Sequence, residues 1–321
     1  MELSSKPIIF LFSGQGSHYY QMGRELFEKH AYFKQIMLAG EKIFIAQTGL
    51  SLLEIIYSDK HNKADIFNKT LFTHPAIFML EYALAQTLIA ENIIPDAVLG
   101  TSLGEFAAAT IGGCLDFETA LNYVILQAQL IEAHCQTASM TAILASLQLY
   151  QEHLLLMQNS TLASINFDQH FVITASIQEL EHIEQFLKTK QLTYQRLAVS
   201  HGFHSPWIQS AELYFLNTIP ALTLKNPILP MISCAEAKML SAVPSSHLWN
   251  AIQKPILFQE TIQALEKNNS YIYLDVGPSG TLATFTKYNL PPGSSSMTFA
   301  TLTPFRSSVD NLLKIKNALN L

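Results

Sequence analysis

The chain has few cysteines and few charged residues, and it has no long apolar run. Its three cysteines, Cys114, Cys135 and Cys234, are odd in number and widely spaced, which predicts neither a disulfide framework nor a metal site. No stretch reaches the roughly 18 consecutive apolar residues that a membrane-spanning helix needs. The run from Ile8 to Phe12 is too short for the core of a signal peptide. These absences predict a protein of the reducing cytoplasm.

Charged residues make up 14% of the 321 residues and hydrophobic residues 49%. The net charge of −6 at pH 7 argues against nucleic acid or an anionic membrane as a partner. A chain of this length can bury a large core. The composition therefore predicts a globular protein, with one large domain and a smaller one.

One glycine–serine turn stands between an apolar run and an alanine-rich segment. It reads Gly100-Thr101-Ser102-Leu103-Gly104 and fits the G-x-S-x-G nucleophile elbow of strand, sharp turn and helix. Glycines leave room where such a turn crowds the neighbouring backbone, and the helix start aims free N–H groups at a developing oxyanion. A serine that only caps the helix is the alternative interpretation.

A nucleophilic serine needs a base and an oxyanion site. Of the eleven histidines, His201 and His204 lie between a predicted strand and a predicted helix. By chemistry alone, either is a candidate base, and the alternative is a structural role, which is the more common one for a lone histidine. The Leu103 amide and Gln15 are candidate oxyanion donors, because the loop after the first strand of a parallel sheet lies at the same edge as the elbow.

The order of predicted elements changes between residues 136 and 200. It becomes strand–helix–strand–strand–helix–strand, which is the ferredoxin-like order. We therefore predict a small ferredoxin-like domain of residues 136–200, inserted into a larger α/β domain of residues 1–135 and 201–321. The patterns also predict one helix over residues 149–158 and a long helix over residues 76–92, with Pro75 in its first turn.

Four motifs occur in the order seen in acyl-carrier-protein acyltransferases. They are Phe12-Ser13-Gly14-Gln15-Gly16-Ser17, Gly100-Thr101-Ser102-Leu103-Gly104-Glu105, His201-Gly202-Phe203-His204-Ser205-Pro206 and Asp275-Val276-Gly277-Pro278. Over essentially its whole length the chain resembles malonyl-CoA:ACP transacylases and polyketide synthase acyltransferase domains. The resemblance implies an α/β-hydrolase-like large domain with a ferredoxin-like small one. It also implies a monomer without bound cofactor or metal, whose substrate acyl group is carried on the phosphopantetheine of an acyl carrier protein (ACP) or CoA.

The resemblance also implies the catalytic roles. Ser102 forms an acyl ester, His204 rather than His201 is the base, and Gln15 and the Leu103 amide hold the oxyanion. Thr101, His201, Phe203 and Asn166 are carried over as substrate-pocket residues.

A backbone carbonyl orients the catalytic histidine in this family. The matching region here is Asn250-Ala251, just upstream of Pro255. A generic α/β-hydrolase would use an aspartate instead, and Asp168 is the rival. The stretch Asn166-Phe167-Asp168 better matches a loop near the family's substrate pocket.

One position departs from the malonyl-loading pattern. Malonyl transferases carry an arginine 25 residues after the nucleophile, where this chain has Gln127, and residues 117–140 contain no Lys or Arg. Arginine holds a carboxylate by a two-pronged charged hydrogen bond, which contributes roughly 1.5–3 kcal/mol. Thr101 also replaces the usual histidine before the serine, whereas His201-Gly202-Phe203-His204 stays close to the H-A-F-H of malonyl pockets. We expect a preference for uncharged acyl groups.

A subgroup of the family lacks this arginine. Its members are free-standing acyl hydrolases of trans-acyltransferase polyketide systems, which remove short acyl groups from stalled carrier proteins. The resemblance predicts such an ACP acyl hydrolase, with the carrier domains of a polyketide synthase as partners. The alternatives are a malonyl (or other acyl) CoA:ACP acyltransferase and an inactive docking or scaffold member.

Overall fold

The computed structural model describes residues 6–218 and 224–321. The strands are β1 (Ile8–Phe12), β2 (Ala97–Gly100), β3 (Ser139–Leu144), β4 (Thr161–Phe167), β5 (His170–Ala175), β6 (Thr193–Arg196), β7 (Met231–Ser233), β8 (Lys238–Leu240), β9 (Ile272–Asp275) and β10 (Met297–Ala300). The helices are α1 (Arg24–Lys29), α2 (Ala31–Thr48), α3 (Leu52–Ile56), α4 (Thr70–Ala90), α5 (Gly104–Ile111), α6 (Phe117–His134), α7 (Leu147–Glu152), α8 (Leu154–Asn159), α9 (Ile177–Thr189), α10 (Glu212–Thr218), α11 (His247–Gln253), α12 (Phe258–Glu266), α13 (Thr281–Asn289) and α14 (Ser308–Leu319). A 3₁₀ helix, Pro206–Ala211, precedes α10.

A six-stranded sheet forms the centre of the larger part, in the order β10-β9-β1-β2-β7-β8. Its first five strands run parallel, and β8 pairs antiparallel with β7. Alternate residues of β1 pack into two apolar clusters on opposite faces, Phe10 and Phe12 in one, Ile9 and Leu11 in the other. Because both faces are covered, the strand is a continuous apolar run, as is usual for parallel sheets. The loops after β1, β2 and β9 meet at the carboxyl edge.

Helix α4 begins earlier than the sequence pattern predicts. It starts at Thr70, so Pro75 lies inside the helix and not in its first turn. The Leu71 amide, which has no partner within the helix, donates to the Glu132 carboxylate on α6 at 2.9 Å. This contact from another helix satisfies an early N–H group, and the helix extends N-terminal to the proline.

The second sheet has four strands in the order β4-β5-β3-β6, with antiparallel neighbours throughout. In chain order this is the ferredoxin-like arrangement, so the predicted fold class is confirmed. The predicted helix over residues 149–158 is two short helices, because His153 between them is extended (φ −107°, ψ 107°). The division at residues 135 and 200 stays a prediction.

Several hydrogen bonds attach the second sheet to the larger part. Ile165 N–H donates to the Ile256 carbonyl, and Ile256 N–H donates to Ala163, both at 2.9 Å. The Thr174 hydroxyl donates to the carbonyl of Phe203 at 2.8 Å. The small sheet therefore borders the loop that carries the candidate catalytic histidine. No helix among the described residues is long and apolar enough to span a membrane.

Candidate active site

Ser102 lies at the sharp turn between β2 and α5. It has φ 55°, in the left-handed region that non-glycine residues rarely occupy, and it is 4% exposed. A side chain at Gly104 would overlap the Phe12 carbonyl, and a Cβ at Gly100 would lie 2.5 Å from Cα of Glu105. Both glycines are therefore required by close backbone approach. This is the geometry of a nucleophile elbow.

His204 contacts the serine directly. Its Nε2 lies 2.8 Å from Oγ of Ser102, and its Nδ1 lies 2.6 Å from the carbonyl oxygen of Lys254. Because a carbonyl only accepts, Nδ1 carries the proton and Nε2 is free to accept from the serine hydroxyl. Burial lowers the pKa of His204 to about 4, although the Lys254 hydrogen bond acts in the opposite direction. At neutral pH the imidazole is uncharged, which is the state of a general base.

The orienting carbonyl corrects the prediction for Asn250-Ala251. The Asn250 carbonyl accepts from the Lys254 amide at 2.8 Å, as part of the end of α11. Lys254 itself is extended at the C-cap (φ −74°, ψ 152°), so its carbonyl turns out of the helix toward His204. Asp168 is not the orienter: its carboxylate accepts from the side chain of Gln259.

The loop after β1 lies against the nucleophile. A Cβ at Gly14 would be 2.6 Å from Cβ of Ser102. Within the described part of the chain, the backbone amides of Gln15 and Leu103 donate to no protein acceptor. The Gln15 side chain donates to Thr73 Oγ1 at 2.7 Å. Gln15 and Leu103 stay the predicted oxyanion donors, with amides free for that role.

Glu81 supports this loop, and the sequence reasoning missed it. Its Oε1 accepts from the amide and the hydroxyl of Ser13 at 2.7 and 2.8 Å. Burial raises the pKa of Glu81 well above its ordinary range, which the two hydrogen bonds from Ser13 only partly oppose. An available signal was the single acidic residue in the otherwise apolar run of residues 76–85.

A cavity of about 290 Å³ opens beside the serine, between the carboxyl edge of the large sheet and the small sheet. Its wall is formed by Ser13, Gly14, Gln15, Gly16, Ser17, Thr101, Ser102, Met140, Ala142, Ser164, Asn166, His170, Val172, Gln195, Leu197, Phe203, His204, Ile256, Thr281, Leu282 and Phe285. None of these described residues is Lys, Arg, Asp or Glu. Burial lowers the pKa of His170 to about 4, so this histidine is also uncharged at neutral pH. The described part of the cavity wall therefore carries no formal charge.

Three of the predicted pocket residues, Thr101, Phe203 and Asn166, line this cavity, whereas Gln127 and His201 do not. Gln127 is fully buried on α6, and neither its amide oxygen nor its nitrogen has a hydrogen-bond partner in the described residues. His201 Nδ1 lies 2.9 Å from the hydroxyl of Thr70. Both residues are therefore buried outside the cavity wall.

Similarity to known proteins extends over nearly the whole chain. The family model "Acyl transferase domain" matches residues 9–311. The chain is 41% identical over 315 residues to "Polyketide biosynthesis acyltransferase homolog BaeD" of Bacillus velezensis, which covers 98% of this chain and 97% of that protein. It is also 41% identical over 308 residues to "Polyketide biosynthesis acyltransferase homolog PksD" of Bacillus subtilis, and this match covers 96% of this chain and 95% of that protein. A solved acyltransferase domain, from the second module of the salinomycin polyketide synthase, matches with TM-score 0.84 and 26% identity over 97% of this chain and 72% of that one.

Proposed function

The chain belongs to the acyl transferase domain family, and from this premise we propose that it is a serine-dependent ACP acyl hydrolase of polyketide biosynthesis. In this proposal it removes short, uncharged acyl groups from the phosphopantetheine thioesters of stalled carrier proteins. The phosphopantetheine arm belongs to the substrate. The observation that carries the proposal is the uncharged cavity wall beside Ser102 together with Gln127 at the arginine position.

Acylation follows from the contacts of the two side chains. Oγ of Ser102 attacks the thioester carbonyl while Nε2 of His204, at 2.8 Å, takes its proton. The Lys254 carbonyl accepts from Nδ1–H and stabilises the imidazolium that forms. The free amides of Gln15 and Leu103 would receive the oxyanion. When the intermediate collapses, the C–S bond breaks and the pantetheine thiolate takes the proton from His204.

Deacylation uses the same groups with water in place of the thiol. His204 Nε2 accepts a proton from water, and the hydroxide attacks the ester carbonyl. The tetrahedral intermediate then releases the acid, and Oγ of Ser102 recovers its proton from His204. Each half-reaction leaves the imidazole neutral, as its low pKa requires at neutral pH.

Acyl selection follows from charge. A malonyl carboxylate that enters this cavity loses water and meets no cation in the described wall. Transfer of an unpaired carboxylate into such a site is strongly unfavourable. Acetyl and butyryl groups carry no such cost, and the apolar side chains of Met140, Val172, Leu197 and Phe285 provide contact area for them.

A malonyl CoA:ACP acyltransferase is the second candidate. It is favoured by His201-Gly202-Phe203-His204, which stays close to the H-A-F-H sequence of malonyl pockets. In that case a second carrier thiol, and not water, accepts the acyl group.

One experiment separates the two candidates. The protein is incubated with acetyl-, butyryl- and malonyl-loaded carrier protein, and mass spectrometry follows the carrier and the Ser102 ester. We expect rapid release of acetate and butyrate with malonyl carrier untouched. Malonyl transfer from CoA to carrier at a rate well above hydrolysis would overturn the proposal. Ser102→Ala is the control and should abolish either activity.

A further inference from the structure

A buried ion pair lies next to the nucleophile elbow and takes no part in the steps above. Glu105, in the first turn of α5, is 0% exposed, and His247 on α11 is 1% exposed. His247 Nε2–H donates to Glu105 Oε2. Burial lowers the pKa of His247, but the hydrogen bond and charge of Glu105 more than offset this, and the pKa lies above its ordinary value. The raised pKa favours a protonated His247 beside the Glu105 carboxylate, in a buried contact between two helices.

Each helix of this pair is connected to one member of the Ser–His pair. Helix α5 follows Ser102 directly, and the Glu105 amide donates to the Ser102 carbonyl at 3.0 Å. Lys254 is the C-cap of helix α11, and its carbonyl accepts from His204 Nδ1–H at 2.6 Å. The Ile252 carbonyl accepts from the backbone amide of His204 at 2.8 Å. Two of the hydrogen bonds that hold His204 thus come from the C-terminal end of α11.

The other partners of Glu105 fix its carboxylate. Oε1 accepts from the Ser233 hydroxyl at 2.8 Å and from the Ala235 amide at 3.3 Å, at the carboxyl end of β7. The contact with His247 is therefore anchored to the sheet and does not depend on a mobile side chain. Removing only the histidine would leave a buried, unpaired carboxylate next to the elbow.

We propose that His247 is a positioning residue. Through its pair with Glu105 it holds α11 in place, and the Lys254 carbonyl at the end of α11 then keeps His204 Nε2 within hydrogen-bond distance of Ser102. The inference rests on the Ser102–His204 chemistry of the proposed function. It is independent of the acyl preference and of the choice between water and thiol.

The test uses p-nitrophenyl acetate, a small activated ester that acetylates the serine without any carrier protein, and kcat is measured for this acetylation step from the first-turnover release of p-nitrophenol. The double variant Glu105→Gln/His247→Leu removes both buried charges together, so the fold is expected to persist. Displacement of a reacting group by about 1 Å can cost about 100-fold in rate. We therefore expect kcat to fall about 10- to 100-fold, with KM changed less than about twofold.

Conservative variants separate positioning from stability. The Gln amide nitrogen reaches the place of His Nε2, so His247→Gln should keep kcat within about threefold of wild type. The shorter His247→Asn does not reach Glu105 and should lose as much kcat as the double variant. Because it leaves the Glu105 carboxylate without its partner, its rate is normalised to the folded fraction measured by circular dichroism. Trp249→Phe, on the same buried helix, is the matched control: it should lower the melting temperature but leave kcat unchanged.

Three results would overturn the inference: wild-type kcat in the folded double variant, equal rates for the Gln and Asn variants, or a kcat loss in Trp249→Phe as large as that in His247→Asn. A wild-type protein that forms no acetyl ester on Ser102 would overturn the serine chemistry and this inference together. A wild-type protein that acetylates Ser102 but releases no acid from acyl carrier protein would overturn only the hydrolase proposal.

Discussion

Replacement of Gln127 by arginine tests whether the charge at this position selects the acyl group. Gln127 is fully buried, and its amide has no partner among the described residues. A guanidinium there would be a buried cation in a place where even the Gln127 amide finds no hydrogen-bond partner among the described residues. An unpaired buried charge of this kind costs about 3–5 kcal/mol. Gln127→Arg should therefore be less stable than wild type when Ser102 is unacylated.

The prediction is that the longer arginine side chain extends beyond the site of Gln127 into the cavity, where a malonyl ester on Ser102 would supply the missing carboxylate. A charged two-pronged hydrogen bond contributes about 1.5–3 kcal/mol, so the ratio of malonyl to acetyl ester on Ser102 should rise about 10- to 150-fold. Malonylation should also raise the melting temperature of the variant, whereas acetylation should not. Both effects have one cause: the malonyl ester provides the negative charge that the guanidinium lacks when Ser102 is unacylated.

In the assay the protein is incubated with equal concentrations of malonyl-CoA and acetyl-CoA, and the reaction is stopped early. Intact-protein mass spectrometry then gives the ratio of the two esters on Ser102. Gln127→Met, similar in size and uncharged, is the matched control and should leave the ratio unchanged. A folded Gln127→Arg protein with the wild-type ratio would refute the reasoning and mean that an arginine at position 127 does not reach the acyl pocket.

Three further predictions concern the dyad, the elbow and the loop after β1. Because the pKa of His204 is lowered to about 4, the rate of Ser102 acylation should be flat from about pH 6 to 8 and fall near pH 4, and an acid limb near pH 6.5 would contradict this. The neutral His204 side chain also contributes about 3 kcal/mol to the free energy of unfolding. This contribution is full above the ordinary histidine pKa of 6.5 and is lost as the pH falls through 4. Gly104→Ala should abolish Ser102 acylation and lower the melting temperature, because the new Cβ overlaps the Phe12 carbonyl. Gly49→Ala is the control: its Cβ meets no described atom within 4 Å, so it should lower the free energy of unfolding by only about 1–2 kcal/mol because of the positive φ. Glu81→Leu should reduce kcat about tenfold or more, because it releases the loop after β1. Glu81→Gln keeps an acceptor for Ser13 and should retain most activity. Equal loss in both variants would contradict this and show that the carboxyl group itself is required.

Local sequence patterns were sufficient to identify the elbow and the small sheet. Gly100, Ser102 and Gly104 act within one turn, so the strain at the serine and the need for glycine follow from contiguous residues. The ferredoxin-like order is likewise a succession of short elements, each with its own period. Where a contact from elsewhere changed the local outcome, the prediction was wrong: Glu132 supports the start of α4, and Pro75 is therefore internal.

The orientation of His204 was decided by tertiary structure alone. The orienting group is the backbone carbonyl of Lys254, 50 residues further along the chain. Every residue has such a carbonyl, so no residue type marks it, and alignment to a family pattern missed it by several positions. The two residues of the Glu105–His247 pair are 142 positions apart, so their contact is equally invisible in sequence.

The sequence by itself thus determined which residue types are available, which local turns they force, and that no arginine stands at position 127. Tertiary structure decided which of these groups meet, that His204 is the histidine on Ser102 at 2.8 Å while His201 lies on Thr70, and which side chains line the cavity. The physical reason is that strain and propensity act over a few neighbouring residues, whereas hydrogen bonds and burial depend on distances that only the packed chain defines.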